Sequence, residues 1–515
     1  MLQFPPRHVA LLWALCGFAL LDARAMLAGP GGVLKVSVVD RDTGQPLACR
    51  MHLVNAAKRP LKAPKVPFWH DHFVFEGTIA LKLPKGEYTF EIERGPEYLT
   101  RSGHFTMEEF SDDAKVVDLK RFADMALEGW WSGDLDAARP AKDLELLMEA
   151  EDLHVVELVT WPGGKDLLAK TVHKGPLVQF DQNHFYHLSA GRDVRSGGCL
   201  LFFNLQQPLK TQAAGGEFDP RLDLIAAAHA EPKAWVDAPQ AFAWDLPLWV
   251  ASQGLNSIEL AGSNLGRKSA VNHEGGGKPR DKLLFPNPTG NGRWNESIYY
   301  HLLNCGLHIV PTAGSGSGNV ANPLGYNRMY VQAEGPLTYE KWWEGVRAGR
   351  VVVTNGPLIR PNVEGQMPGY VFRAAKGEQI ELEVGLTLST RDRVSYLEII
   401  KDGRLEQQVR LDDWAKMGGK LPPLKFDASG WFLIRAVTDY PGTYRFASTA
   451  PYWVEFDERP RIGKESAEFF LDWLTARTTE VKRQFGDGEQ AEAVLAHYRR
   501  AHAFWQDLVA RANAP

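Results

Sequence analysis

Two rhythms of apolar and polar residues alternate along this chain. In "VLKVSVVD", residues 33–40, apolar and polar positions take turns, the period of a strand with one buried face. "RDTGQP" then supplies Gly44 and Pro46 as turn residues. "TIALKLPKGEYTFEIERG" predicts two further strands joined at Pro84–Gly86. Residues 33–120 therefore predict a small all-β module, and its pattern resembles the carboxypeptidase-regulatory-like or transthyretin-like sandwich. From 127 to 357 the rhythm changes. "AKDLELLMEAED", "DPRLDLIAAAHAE", "DLPLWVASQG", "NESIYYHLLNCG" and "TYEKWWEGVRAG" have helical spacing. The strand-like runs "LHVVELVTW", "AWVDA", "SIELAG", "HIVPTAG" and "VVVTNG" follow them in turn. Repeated helix-then-strand units with short joins predict a parallel sheet closed as a β/α barrel. In such folds the chemistry collects where strands end and loops begin. Residues 358–457 return to alternation, with Asp402–Gly403 as a hairpin turn, and predict a second β-sandwich. Residues 463–511 have apolar residues three and four apart and predict a helical hairpin.

Composition narrows the class. At 515 residues the chain has room for three or four domains at about 150 residues each. The net charge is −5 and no long basic run occurs, which removes the electrostatic case for a nucleic-acid partner. Arg7 and His8, the apolar stretch 9–21 and "ARA" at 23–25 have the order of a secretory leader. The apolar stretch is too short to span a bilayer. Export to the periplasm or the outside, after cleavage near Ala25, is the expectation, with residues 1–25 removed and no membrane span. Cys49, Cys199 and Cys305 then remain, far apart and odd in number, and read as buried apolar residues.

Candidate chemistry concentrates in residues 127–357. "GWWSGDLDAARP" places Asp134 and Asp136 two residues apart at a strand end, as metal ligands or as turn residues holding loop amides. Glu157 stands mid-strand in an apolar run, where a carboxylate must be paired, metal-bound or protonated. Asp237 in "WVDA" is a strand-end acid, and Asp245 precedes a helix as an N-cap. His154 opens its strand at the far end from the chemistry and reads as structural. His184 and His187 read as surface histidines. Residues 272–295 form a long loop that places His273 and Glu274 where a lid would swing over a pocket. "NES" at Asn295 is a chance sequon. Trp131 and Trp161 read as pocket-lining or as core aromatics. Asn264 and Ser315 stand at strand-end positions as further pocket-lining candidates.

The phrases "GWWSGDL", "LLMEAEDLHV", "GGCLLFFNL", "WDLPLWVASQGLNSI", "IYYHLLNCGL" and "NPLGYNRMYV" resemble the CehA/McbA-type metallohydrolases, exported relatives of the PHP (polymerase and histidinol phosphatase) superfamily. The resemblance spans roughly residues 35–510. It implies a PHP-like distorted β/α barrel with a divalent metal at its strand ends. That metal would activate a water for hydrolysis of ester, carbamate or phosphate-ester bonds. The motif positions depart from the pattern. Where the family has Gly-Asp-Leu-His-x-His, this chain has Gly133-Asp134-Leu135-Asp136-Ala137-Ala138. "ELAGSNLGR" carries no second histidine pair, Pro239-Gln240 replace an acid and a lysine, and "AGSGSGN" replaces a Gly-Ser-Asp-Ser-His box. Alanine and glycine offer no side-chain ligand. The chain is therefore expected to hold no metal, or to hold Mg, Ca or Zn weakly, with Asp134 and Asp136 as the remaining ligands.

Three functions stay open at this point. One is a non-catalytic member that binds a small-molecule or carbohydrate ligand or a partner. The second is an altered hydrolase using Asp134, Asp136, Glu157 and Asp237. The third is a metal-free carbohydrate-active protein with paired acids about 5–10 Å apart.

Overall fold

The computed structural model describes residues 31–163, 165–168, 175–210, 218–485 and 488–515. The leader-like stretch 1–25 lies outside them. Among the described residues no helix is long and apolar enough to cross a membrane.

The first module is built from two sheets, one mixed and one antiparallel. Strands Gly31–Asp40, Thr78–Pro84 and Asp112–Leu119 form one. Phe68–Trp69, His72–Glu76, Ala48–Asn55, Gly86–Glu93 and Arg101–Met107 form the other. Alternate residues such as Leu34, Val36, Val38, Leu81 and Met51 point inward and fill the space between them, as the period-two pattern requires.

The centre is one long mixed sheet, not a barrel. Its strands run in the order Val310–Ala313, Ser257–Ala261, Trp235–Ala238, Gly198–Phe203, Phe185–Arg195, Val155–Pro162, Trp130–Ala137, Arg328–Gln332 and Val351–Thr354. The path then continues through Phe446–Thr449 and Gly430–Thr438 into the C-terminal strands. Strand residues outnumber helical ones, 40% to 21%. The expectation of a closed, parallel β/α barrel is overturned by the pairing. The strands 185–195 and 198–203 form an antiparallel hairpin. Only Ser196 and Gly197 separate them, and a parallel neighbour needs a crossover of about a dozen residues. The strands 328–332 and 351–354 are antiparallel although the helix Tyr339–Arg347 lies between them. Among the described residues no ladder joins 310–313 back to 130–137; a single bridge, Ala137 to Ser317, lies beside them.

Helices cover one face. The helix Tyr339–Arg347 lays Trp342 and Trp343 on the sheet, and a Cβ on Gly133 would run into the Trp342 ring. A second, three-stranded sheet, Leu358–Val363, Ile380–Ser389 and Lys420–Phe426, packs over the C-terminal strands around Leu382, Val384, Leu397 and Phe432. The helices Lys464–Phe485 and Glu489–Ala510 lie antiparallel and return to the centre of the chain. There Trp505 Nε1 donates to the Pro247 carbonyl at 2.9 Å.

The first module sits over the strand ends of the central sheet. Ala48 and Val74 pack on the helix Leu144–Glu151 through Leu147 and Met148. Buried Arg50 bridges Glu93 and Glu151. Trp69 Nε1 donates to the Val320 carbonyl at 2.9 Å, and Lys268 Nζ meets Asp71 Oδ2 at 3.0 Å. The loops that follow the central strands are thus roofed by the module that precedes them in sequence.

Candidate functional site

Asp134 and Asp136 share one face of the strand Trp130–Ala137, because alternate residues of a strand point the same way. Leu135 and Trp131 point to the other, into the helix-covered core. Both aspartates are fully buried. Asp134 accepts four hydrogen bonds. Its Oδ1 takes the amides of Asp136 (3.1 Å) and Ser315 (2.9 Å). Its Oδ2 takes the Ser315 hydroxyl (2.5 Å) and the Gly325 amide (2.7 Å). Burial raises its pKa, and these four donors work against that rise. Asp134 is a clamp on the 314–325 loop.

Asp136 is held by a cation. The Arg192 guanidinium, from the strand Phe185–Arg195, reaches both of its carboxylate oxygens. Burial weakens the proton on Arg192, but the Asp136 carboxylate outweighs this and its pKa is raised. Two more acids stand close by. Asp237 Oδ2 accepts from the hydroxyls of Ser257 and Thr312, the latter at 2.6 Å, while Oδ1 has no partner. Burial, with a contribution from Asp136, pushes Asp237 up to about 6. Glu259, in the strand Ser257–Ala261, has neither carboxylate oxygen hydrogen-bonded. Its pKa is raised well above the usual range, first by burial and then by Asp136 and Asp237. Space is made by Gly314, where a Cβ would run into both Glu259 Oε1 and the Asp136 Cβ. One guanidinium thus faces a group of buried acids, and burial favours their uncharged form.

Glu157 lies elsewhere. It points to the helix layer, where its Oε1 accepts from the Tyr339 hydroxyl and its Oε2 lies 3.6 Å from His187 Nδ1. Burial pushes it up to about 8 and holds His187 down to about 4. Of the four acids expected to converge, Glu157 lies apart, while Asp134, Asp136 and Asp237 each act on Glu259, which the sequence reading did not single out. Glu259 carries the sequence signal that singled out Glu157, an acid inside an apolar strand. Arg192 carried none.

The remaining candidates divide as follows. Ser315 and Asn264 are buried at the strand ends, and Asn264 Nδ2 donates to Asn291 Oδ1 at 2.5 Å. Trp131 and Trp161 are core residues, not pocket walls: Trp161 stacks on Phe202 and Trp131 meets His154 edge-on. His154 is buried against Ser132 Oγ at 2.8 Å and held down to about 3 by burial. His187 is buried in a strand rather than exposed on a surface. His273 is exposed and lines neither strand-end cleft, while Glu274 is tied to Arg280. The presumed long loop ends at 289, and Asn295 lies buried in the helix Gly290–Asn304, donating to the Glu259 carbonyl at 2.7 Å. Asp245 occupies the N-cap position but makes no cap bond. Its carboxylate meets Arg477 Nε at 2.7 Å and the Tyr498 hydroxyl at 2.8 Å. The three described cysteines are free.

Asp134 and Asp136 leave no open site for a divalent metal. The four acceptor positions of Asp134 are taken by loop donors, and both oxygens of Asp136 face Arg192. Imidazole ligands are lacking there. Among the described residues two other sets have ligand atoms within 4.8 Å of one another, His52–Asp71–His72 and His52–Glu91–Glu93. Both lie in the first module among cations. Arg50 Nε donates to His52 Nε2 at 3.2 Å, Lys268 holds Asp71, and Arg267 pairs with Glu91 and Glu93.

Two clefts open at this end of the sheet. One, of about 360 Å³, lies between His70 and Asp71 of the first module and Ser263, Arg267 and Pro323. The other, of about 380 Å³, lies over Ala138, Arg139, Leu158, Thr160, Leu167 and Arg192.

No family model matches the chain, and no curated protein matches it. Among solved structures, the Bacillus anthracis TIE protein aligns at 20% identity over 22% of this chain and 20% of its own, with a TM-score of 0.15. A pilus-presented adhesin, Spy0125 (Cpa), aligns at 12% identity over 19% and 28%, with a TM-score of 0.13. The apo structure of Bacteroides uniformis β-glucuronidase 3 aligns at 9% identity over 82% and 63%, with a TM-score of 0.17. The chain thus spans less than two thirds of each of these proteins, and likenesses this slight carry no argument about fold or function.

Proposed function

We propose that this chain is an exported ligand-binding protein whose strand-end acids are structural, and that it does not run metal-dependent hydrolysis. The observation that carries this reading is the Arg192 guanidinium on both oxygens of Asp136. A cation slot closed by a side chain needs no metal to balance it, and the neighbouring Asp134 has no acceptor to spare. The motif positions that resemble the CehA/McbA-type metallohydrolases support the same reading, since Asp136 and Ala138 stand where that pattern has histidines. The leader-like stretch 9–25 supports export. Glu259 and Asp237 are poor candidates for acid catalysis, because neither has any exposure to a substrate.

The test is elemental analysis of protein purified without chelator, together with turnover of aryl esters and phosphodiesters with added Zn²⁺, Mn²⁺ or Mg²⁺. The expected result is sub-stoichiometric metal and no metal-stimulated rate. Stoichiometric metal, or a turnover that disappears in Asp136→Asn, would overturn the proposal.

A further inference from the structure

A second guanidinium stands at the same strand ends, and the fold supplies no counter-ion for it. Arg139 follows the strand Trp130–Ala137 and lies over the Trp69 indole, 5.0 Å from the ring centroid. It is 6% exposed. Its Nη1 reaches Ser317 Oγ at 3.4 Å, the long limit of a hydrogen bond, and its Nε has no partner. Asp143 and Glu151 act on it only through space, and burial holds its pKa down to about 10. Several other buried arginines are better provided for, and Arg328 gives its guanidinium to the carbonyls of Gly325, Glu151 and Asp152. Arg50, Arg280, Arg435 and Arg477 each lie against carboxylates. A guanidinium removed from water without a counter-ion is costly.

Arg139 lines the cleft of about 380 Å³, with Arg192 beside it and walls from Leu158, Val159, Leu167 and Leu168. That volume falls in the range of small-molecule sites, as does the mixture of apolar walls and a few polar groups. Charge decides the class of occupant. Arg192 is already neutralised by Asp136, so the cleft offers one uncompensated positive charge. A monoanion balances it, whereas a phosphate dianion would bring one charge too many. The planar fork of a guanidinium matches a carboxylate with two parallel N–H···O bonds.

We propose that this cleft binds a small amphipathic carboxylate, its head group on Arg139 and its apolar body along Leu158, Leu167 and Leu168. The proposal deepens the ligand-binding reading above and rests on it for the absence of a competing metal.

Calorimetric titration at about pH 8.5 tests it, with 4-phenylbutyrate and octanoate as probes, 4-phenylbutanamide as the uncharged analogue and inorganic phosphate, which is the dianion there. The full chain is compared with Arg139→Met and Leu167→Glu. Leu167 is 55% exposed, so a charge there leaves the fold intact while placing a carboxylate at the rim of the cleft. The carboxylates bind the unaltered chain. Affinity falls about tenfold or more in each variant and for the amide, as loss of a charge-assisted pair demands, and phosphate does not compete. Arg139→Met melts no lower than the unaltered chain, because it removes an unbalanced charge. Failure of both carboxylates to bind, equal affinity in the variants, or equal affinity for the amide overturns the proposal. Metal content separates the two readings. Stoichiometric metal with Arg139-dependent carboxylate binding overturns only the metal-free reading. Metal-free protein indifferent to carboxylates overturns only this one.

Discussion

Glu157 allows a quantitative test of how the sheet and its helix layer hold together. Its carboxyl is fully buried, and burial lifts its pKa from the ordinary 4.5 to about 8. A carboxyl whose folded-state pKa lies above its unfolded value stabilises fully below about 4.5, and that stability is lost as pH rises to about 8. At 1.36 kcal/mol per pKa unit the loss comes to about 5 kcal/mol, an upper figure because a buried site relaxes or admits water when it ionises. The perturbation is Glu157→Gln, which keeps an oxygen to accept from Tyr339 and has no proton to lose. The assay is urea unfolding of both proteins at pH 5.5, 7 and 8.5, followed by tryptophan fluorescence. His187 is held down to about 4 and shifts stability the opposite way below pH 6.5. At pH 7 and above the imidazole is neutral, so it drops out of the comparison between pH 7 and 8.5. The stability of Glu157→Gln relative to the unaltered chain should rise by up to about 3 kcal/mol between pH 5.5 and 8.5. A difference that does not change with pH, or that favours glutamate at pH 8.5, would refute the argument that Glu157 is protonated in the fold.

Three further outcomes follow from contacts described above. Asp134→Asn puts an NH₂ group among four donors and should cost about 2–3 kcal/mol in thermal or urea unfolding, with no rescue by added divalent metal. Asp245→Ala leaves Arg477 buried and unpaired; a loss of about 3–5 kcal/mol should appear as faster amide exchange across 464–510. In a host that attaches N-glycans, intact-mass analysis should show none at Asn295, because its Nδ2 is buried and engaged with Glu259.

Local pattern made much of this chain legible and long-range pairing did not. Alternation in "VLKVSVVD" corresponds to a strand with alternate residues buried, and the spacing in 463–511 corresponds to two helices. The barrel expectation failed at 185–203, where a strand pair without a helix breaks the helix-then-strand rhythm, and at 328–354, where a helix joins antiparallel neighbours. A helix between two strands supplies the length for a parallel crossover without requiring one. In the site, an acid within an apolar run identified Glu157, and the same rule applied to "SIELAG" would have found Glu259. Arg192 meets Asp136 across 56 residues, and Arg139 is defined by the partner it lacks. Neither relation leaves a periodicity to read.

The ladder between Val351–Thr354 and Phe446–Thr449 crosses the place where the change of rhythm divides the chain, at 357. A chain cut there would keep the acids, both arginines and the helices from 144 to 347, yet it would lose the C-terminal helical pair, and its last strand would lose its outer neighbour. Val351, Val352 and Val353 are wholly buried. Their freed backbone groups would form an open, apolar edge, ready to recruit a strand from another molecule. Self-association of the shortened chain would then reflect a severed sheet, not a damaged site. The C-terminal strands therefore serve the strand-end site at a distance, by keeping the sheet that carries it from finding a partner in another molecule.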